Sequence, residues 1–287
     1  MTLISVLVAL LVERFLGHLQ DLRRFDVFVD FSGWLQRRFF QSAPWDGPFG
    51  VLLTLAVPVV ITGVLQHWLS TWLFGLPELV FSIIVLIYCL GPRDLAADVE
   101  SYQDAAGGAD ESLVYRAADR LLGGQLPDSV DREGAAMDGV FSQSNSRLFA
   151  VLFWFMVLGP MGAVLYRCAN VLRLQGAPDE SEFQNVAVRF HSLLGWPSAW
   201  LAGLGFAISG DFEGALTGLR EGRATRLERF FDPTAGVLVD AGRGALGLEA
   251  DSPVDASTAG LAMGLVWRTL AVWIFLLALF TLAGWAA

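Results

Sequence analysis

RLFAVLFWFMVLGPMGAVLYR, running from Arg147 to Arg167, is the stretch on which the reading of this chain turns. The apolar run around it, Leu148 to Leu172, is long enough to cross a bilayer, which takes about 20 mostly apolar residues. Yet Leu158-Gly159-Pro160-Met161-Gly162 falls at its middle. Two geometries follow. Either one kinked helix crosses, or two half-helices form a re-entrant hairpin, allowed only where protein or water covers the freed backbone. The kinked span, with Gly159, Pro160 and Gly162 as the helix break, is the expectation.

Polar residues flank this run on both sides. Asn145, Ser146 and Arg147 enter it; Tyr166, Arg167 and Asn170 leave it. Polar side chains at both ends of a broken membrane helix mark a cavity in many transporters, and Tyr and Arg are also ordinary interface anchors. Asn145, Arg147, Tyr166, Arg167 and Asn170 are therefore the candidate binding residues.

Further apolar runs lie outward from the centre. Residues 49–65 (FGVLLTLAVPVVITGVL) and 269–285 carry no charge, and Arg268, near the start of the last run, can snorkel to headgroups. Pro58 should bend the first of these helices. Residues 79–90 are short for a crossing unless 76–78 join them. Thr2 to Val12 lacks a basic start and a cleavage site and is followed by Glu13-Arg14, so it reads as a retained helix. Ala199 to Ser209 reads as too short to span, its Gly203 and Gly205 suiting close packing or an interfacial dip.

Residues 92–147 lose apolar character, and Asp110 to Leu122 has amphipathic spacing, so a water-exposed helical hairpin is expected there. The reading is an all-α, polytopic helical membrane protein with about four or five spans. It divides into 1–91 (N-terminal helix, linker and first membrane helices), 92–146 (cytoplasmic helical loop), 147–172 (broken or kinked membrane helix), 173–260 (polar segment with an apolar patch) and 261–287 (C-terminal membrane helix).

Composition excludes several functions. Hydrophobic residues make up 54% of the 287 and the net charge is −10, which disfavours nucleic acid, whose phosphates need clustered positive charge. The 19 basic residues are all arginine, so a P-loop lysine and a Schiff-base lysine are ruled out. Cys89 and Cys168 suggest neither a disulfide framework nor a zinc site. His18, His67 and His191 lack metal-site spacing. The glycine pairs at 107–108 and 123–124 and the cluster Gly242–Gly247 read as turns. Arg220, Arg223, Arg226 and Arg229 form a stripe suited to headgroups or a solvated, ion-paired face. No catalytic residue, metal or cofactor is assigned.

Along nearly its whole length the chain resembles the AmpE family of inner-membrane proteins. The resemblance rests on MTLISVLVALLVERFLG with Glu13-Arg14, on Arg147 to Arg167, on LLGWPSAWLAGLGFAISGDFEGAL and on AGRGALGL. It implies an inner-membrane, multi-pass regulator of β-lactamase induction linked to cell-wall recycling. Expected partners are the lipid bilayer and a recycling amidase or a small anionic ligand, with no catalysis.

AmpE is similar in turn to the CobD/CbiB enzymes of the cobalamin pathway, membrane proteins that attach an aminopropanol group to cobyric acid. That kinship implies the alternative, an amide-forming enzyme or a divergent remnant of one, acting on an anionic substrate. The chain departs from that pattern. Gln143, Asn145 and Arg147 stand where those enzymes have an acidic Glu-Asn motif and an Asp, and Asn170-Val171-Leu172-Arg173 replaces Asn-Thr-Leu-Asp.

Overall fold

The computed structural model describes residues 2–15, 25–39, 46–71, 75–90, 94–108, 110–124, 132–176, 181–221, 233–248 and 254–283. Among them every regular element is a helix. In chain order these are α1 (Thr2–Phe15), α2 (Asp26–Phe39), α3 (Pro48–Ser70), α4 (Leu76–Cys89), α5 (Leu95–Ala106), α6 (Glu111–Leu121) and α7 (Arg132–Ser144). A π-helical turn, Asn145–Phe149, leads into α8 (Ala150–Leu158), α9 (Pro160–Arg173), α10 (Glu182–Ser209), α11 (Phe212–Glu221), α12 (Pro233–Ala245) and α13 (Ala256–Leu282). Two compact units share the chain: Met1–Pro92 with Ala150–Gly195 and Phe280–Ala287, and Arg93–Phe149 with Trp196–Leu279.

In the first unit α9 is the hub, packing on α2, α3, α4 and α8. Small residues let the neighbours come close: Gly63 of α3 sits on the Met161 thioether, where a Cβ would have no room. Gln66 Nε2 donates to the Glu78 carboxylate at 3.3 Å and ties α3 to α4. Pro58 lies inside α3, and the helix runs on past it to Ser70. The Thr62 hydroxyl donates to the Pro58 carbonyl at 2.8 Å in the turn after the proline, whereas the carbonyl that lacks its helical donor is that of Thr54.

Gly159 separates α8 from α9. Its φ of 65° and ψ of −152° belong to a region open essentially to glycine alone. Pro160 then starts α9 where a missing N–H costs nothing. Gly162 packs against the Trp154 carbonyl, although residues eight apart in one helix stand about 12 Å from each other. The two helices thus fold onto each other, and the expected single kinked helix is corrected to a pair of half-helices. The reason is local: a φ/ψ pair outside the helical basin ends the hydrogen-bond ladder, so the chain doubles back instead of bending.

Among the described residues, the helices long and apolar enough to cross a membrane are α3 and α13; Thr2–Val12 of α1 and α4 are apolar but shorter. At 1.5 Å per residue, the 14 residues of α4 reach about 21 Å against a hydrocarbon thickness of about 30 Å. Length and apolarity together therefore support two of the four or five expected spans.

The second unit holds α5, α6, α7, the π turn, the later part of α10, and α11 to α13. The expected water-exposed hairpin at 92–147 is partly corrected. Helices α5 and α6 pair, each opened by an aspartate whose carboxylate caps it: Asp94 accepts from Ala96 N and Asp110 from Ser112 N, both at 2.9 Å. Ser112 also holds the Asp110 carboxyl below its ordinary range. Helix α7, however, is buried from Gly134 through Ser142. Alanine and glycine give it a thin profile, so it fits inside the unit despite its modest hydrophobicity. Around it Phe141 and Phe206 meet at 5.3 Å between ring centroids, and Phe149 and Trp273 at 5.1 Å.

Gly242 and Gly244 are helical, correcting their reading as a turn; Gly247, with φ of 70°, does turn the chain. Gly214 and Gly244 face each other's carbonyls, and Gly218 lies on the carbonyl of Asp240, so α11 and α12 cross with their backbones in contact. The apolar patch at 199–209 is the second half of the 28-residue α10, which continues through Pro197. Arg223, Arg226, Arg229 and His18 lie outside the described residues, as do the side chains of Glu13 and Arg14, whose backbone belongs to α1.

Two glycine substitutions should move stability in opposite directions. Gly159→Ala forces an L side chain into a glycine-only conformation and should cost about 1–3 kcal/mol. Gly264→Ala, in α13 with open space at its Cβ, should gain up to about 1 kcal/mol. Thermal unfolding of the detergent-solubilised protein checks both; an unchanged midpoint for Gly159→Ala contradicts the assigned backbone geometry.

Candidate functional site

The five candidate residues fall into both units. Asn145 and Arg147 lie in the π-helical turn of the second unit, and Tyr166, Arg167 and Asn170 lie on α9 of the first. Neither unit contains the whole set, so each polar group is described in its own setting.

In the second unit the π turn projects Arg147 towards α5. Its Nη1 pairs with the buried Asp98 carboxylate at 2.6 Å, its Nε donates to Gln143 Oε1 at 3.2 Å, and its Nη2 donates to the Arg120 carbonyl at 3.2 Å. Ser146 Oγ donates to the same Gln143 oxygen at 3.2 Å. Asn145 is buried. A second ion pair is bidentate: Arg243 of α12 reaches Asp138 of α7 with Nε at 2.7 Å and Nη2 at 2.8 Å. With Asp138 buried, this pair clamps α7 to α12 and resists breakage, because removing one partner strands a charge. These guanidiniums are engaged in holding helices together.

In the first unit Tyr166 is fully buried and its ring lies 5.1 Å from that of His191 on α10. The buried Arg167 stacks over the Phe25 ring at 5.2 Å. The end of α9 is more open to chemistry. Gln184 Nε2 donates to the carbonyls of Leu172 and Arg173 at 3.4 and 2.7 Å, closing the helix terminus. Arg173 Nη2 donates to Asn170 Oδ1 at 3.2 Å, and Ser32 Oγ to Gln175 Oε1 at 2.8 Å.

Among the described residues, no acceptor meets two buried donors here, Arg173 Nε and Gln175 Nε2. Buried donors are almost always paired in native structures, so such a set calls for an explanation. Gln175, but not Arg173, lines a cavity of about 620 Å³ whose walls also include Asp30, Arg37, Ser181 and Gln184. That volume suits a small organic ligand. Gly33, between Asp30 and Arg37 on α2, leaves the wall bare, and the Arg37 guanidinium lies about 4.0 Å from where its Cβ would stand. The cavity wall thus carries the Arg37 guanidinium, several side-chain amides and one carboxylate, Asp30, which fits an oxygen-rich, anionic ligand. Among the described residues no three His, Cys, Asp or Glu side chains are grouped to hold a metal ion.

The sequence pointed to Asn170 and, through the replaced motif, to Arg173. It missed Asp98, Asp138 and Arg243, and it missed the cavity. Its search for a carboxylate stayed with the motif positions that flank the 148–172 run, whereas the fold brings Asp98 to Arg147 from 49 residues away. Nothing local in the sequence signals such a pairing.

A sequence model described as CobD/Cbib protein matches residues 6–249. The cobalamin biosynthesis protein CobD of Chromobacterium violaceum is 30% identical to the chain, over 84% of this chain and 78% of that protein. The cobalamin biosynthesis protein CobD of Stutzerimonas stutzeri is 28% identical, over 96% of each. No solved structure matches. These findings overturn the expected AmpE membership, and with it the signalling role in β-lactamase induction. They bear out the kinship with the CobD/CbiB proteins.

The Asp138–Arg243 clamp gives a test of the second unit. Arg243→Ala should destabilise the protein by about 3 kcal/mol, and adding Asp138→Ala should recover much of that loss, since no buried charge is then stranded. Equal and additive losses in the two single variants and their combination would show the pair to be uncoupled.

Proposed function

This chain belongs to the CobD/CbiB family, and on that premise we propose that it is an amide-forming enzyme of cobalamin biosynthesis, embedded in the bacterial inner membrane. The reaction joins a substrate carboxylate to an amine with loss of water. In water that condensation needs an activated carboxylate, so a nucleoside triphosphate is the co-substrate. A chain without lysine handles the anions with arginine, whose planar guanidinium pairs well with carboxylate and phosphate oxygens.

The observation that supports this reading is the polar cavity at the end of α9, whose wall carries Arg37 and the side-chain amides of Gln36, Gln175 and Gln184. Arg37 adds positive charge at the same wall, and Asp30 offers a carboxylate to an ammonium group before its deprotonation and attack. Gln184, tied to the two helix-end carbonyls, positions the floor of the cavity and takes no part in the reaction.

The test is assay of the full-length protein in lipid nanodiscs with a carboxylated corrinoid, aminopropanol and ATP, reading product by mass. Amide product is expected. Arg37→Ala should raise KM for the anionic substrate by roughly 10- to 100-fold, the worth of a charged hydrogen bond of about 1.5–3 kcal/mol, with a smaller change in kcat. Absence of both corrinoid binding and nucleotide turnover in well-folded protein would sink the proposal.

A further inference from the structure

Helix α10 combines two faces of opposite character. Inward, Gly203 meets Ala241 of α12, Gly205 lies against Thr269 and Trp273 of α13, and Phe206 stacks near Phe141. Outward, Leu193, Trp196, Trp200, Leu201, Leu204 and Ile208 are all exposed, at spacings that place them on one side of the helix. No charge interrupts residues 190–210, which Arg189 and Asp211 bound. These 21 residues, at 1.5 Å each, reach about 32 Å, close to the thickness of a hydrocarbon core. Gly, Ser and Pro on the packed side lower the average apolarity of this stretch and hide it from a composition test.

Its neighbour supplies the depth. Gly205 opposite Trp273 and Ser209 opposite Thr269, joined by a hydroxyl contact of 3.3 Å, set α10 antiparallel to α13. At that level both helices become charge-free together. Arg268 is the last charge of α13 in its direction, and Asp211 is the first beyond α10 in its own. Phe275 and Leu276 of α13 are exposed, as are Leu201 and Leu204 of α10.

We propose that residues 190–210 of α10 cross the bilayer beside α13, with hydrocarbon tails covering the face from Leu193 to Ile208. This rests on the membrane placement above and adds a crossing to it. Glu182 and Glu213 consequently lie on opposite sides of the membrane, and α11 shares its side with the start of α13.

Single cysteines introduced by Glu182→Cys or Glu213→Cys into a Cys89→Ser, Cys168→Ser background test the sidedness with an impermeant maleimide. Spheroplasts and inverted vesicles should each label one position and not the other. Nitroxides placed through Leu204→Cys and Leu276→Cys report the medium: both should be broadened by oxygen and spared by an aqueous nickel chelate, whereas Glu111→Cys shows the reverse. Labelling of Glu182→Cys and Glu213→Cys from one side, or a Leu204→Cys nitroxide open to nickel or closed to both reagents, overturns the crossing while oxygen-exposed Leu276→Cys leaves the membrane reading intact. Nickel access at Leu276→Cys as well removes the membrane reading and this proposal together.

Discussion

Helix backbones in this protein come into direct contact, and the packing depends on positions where no Cβ fits. Gly162 on the Trp154 carbonyl, Gly214 on Gly244 and Gly218 on Asp240 are such positions. Where lipid surrounds helices, apolar burial between them provides little drive, and close van der Waals contact takes its place. The same economy lets α7 pass through the second unit as a buried helix made largely of small residues. Larger side chains are then free to point outward, as along α3, α10 and α13.

Much of the fold was readable. Residues 49–65 and 269–285 are uncharged, and that length alone commits them to helices of bilayer scale. Gly159-Pro160 announced an interruption, though the degree of folding at it depended on a ψ value that residue identity does not supply. Residues 199–209 were read as a short apolar patch because Gly, Ala and Ser break up the pattern, whereas they form the second half of the 28-residue α10. Gly242 and Gly244 were misjudged for a related reason: glycine marks a turn when flexibility is needed and a crossing when space is needed, and only the neighbour distinguishes the two.

The site was less legible than the fold. The cavity is assembled from α2, the end of α9 and the start of α10, segments far apart in the chain, and its donors are glutamines and arginines without a fixed spacing. Asp98 and Asp138 looked like ordinary loop acids until the fold buried them against Arg147 and Arg243. Family membership corrected the function because the match covers the scaffold as a whole, where individual motifs are shared too broadly to decide between roles.

The side-chain amide of Gln184, held by the carbonyls of Leu172 and Arg173, changes the electrical character of the cavity floor. A helix end ordinarily presents partial negative charge to whatever lies beyond it. Here a neutral amide blunts that pole, so an acid-bearing guest meets guanidinium and amide hydrogens with less opposing field.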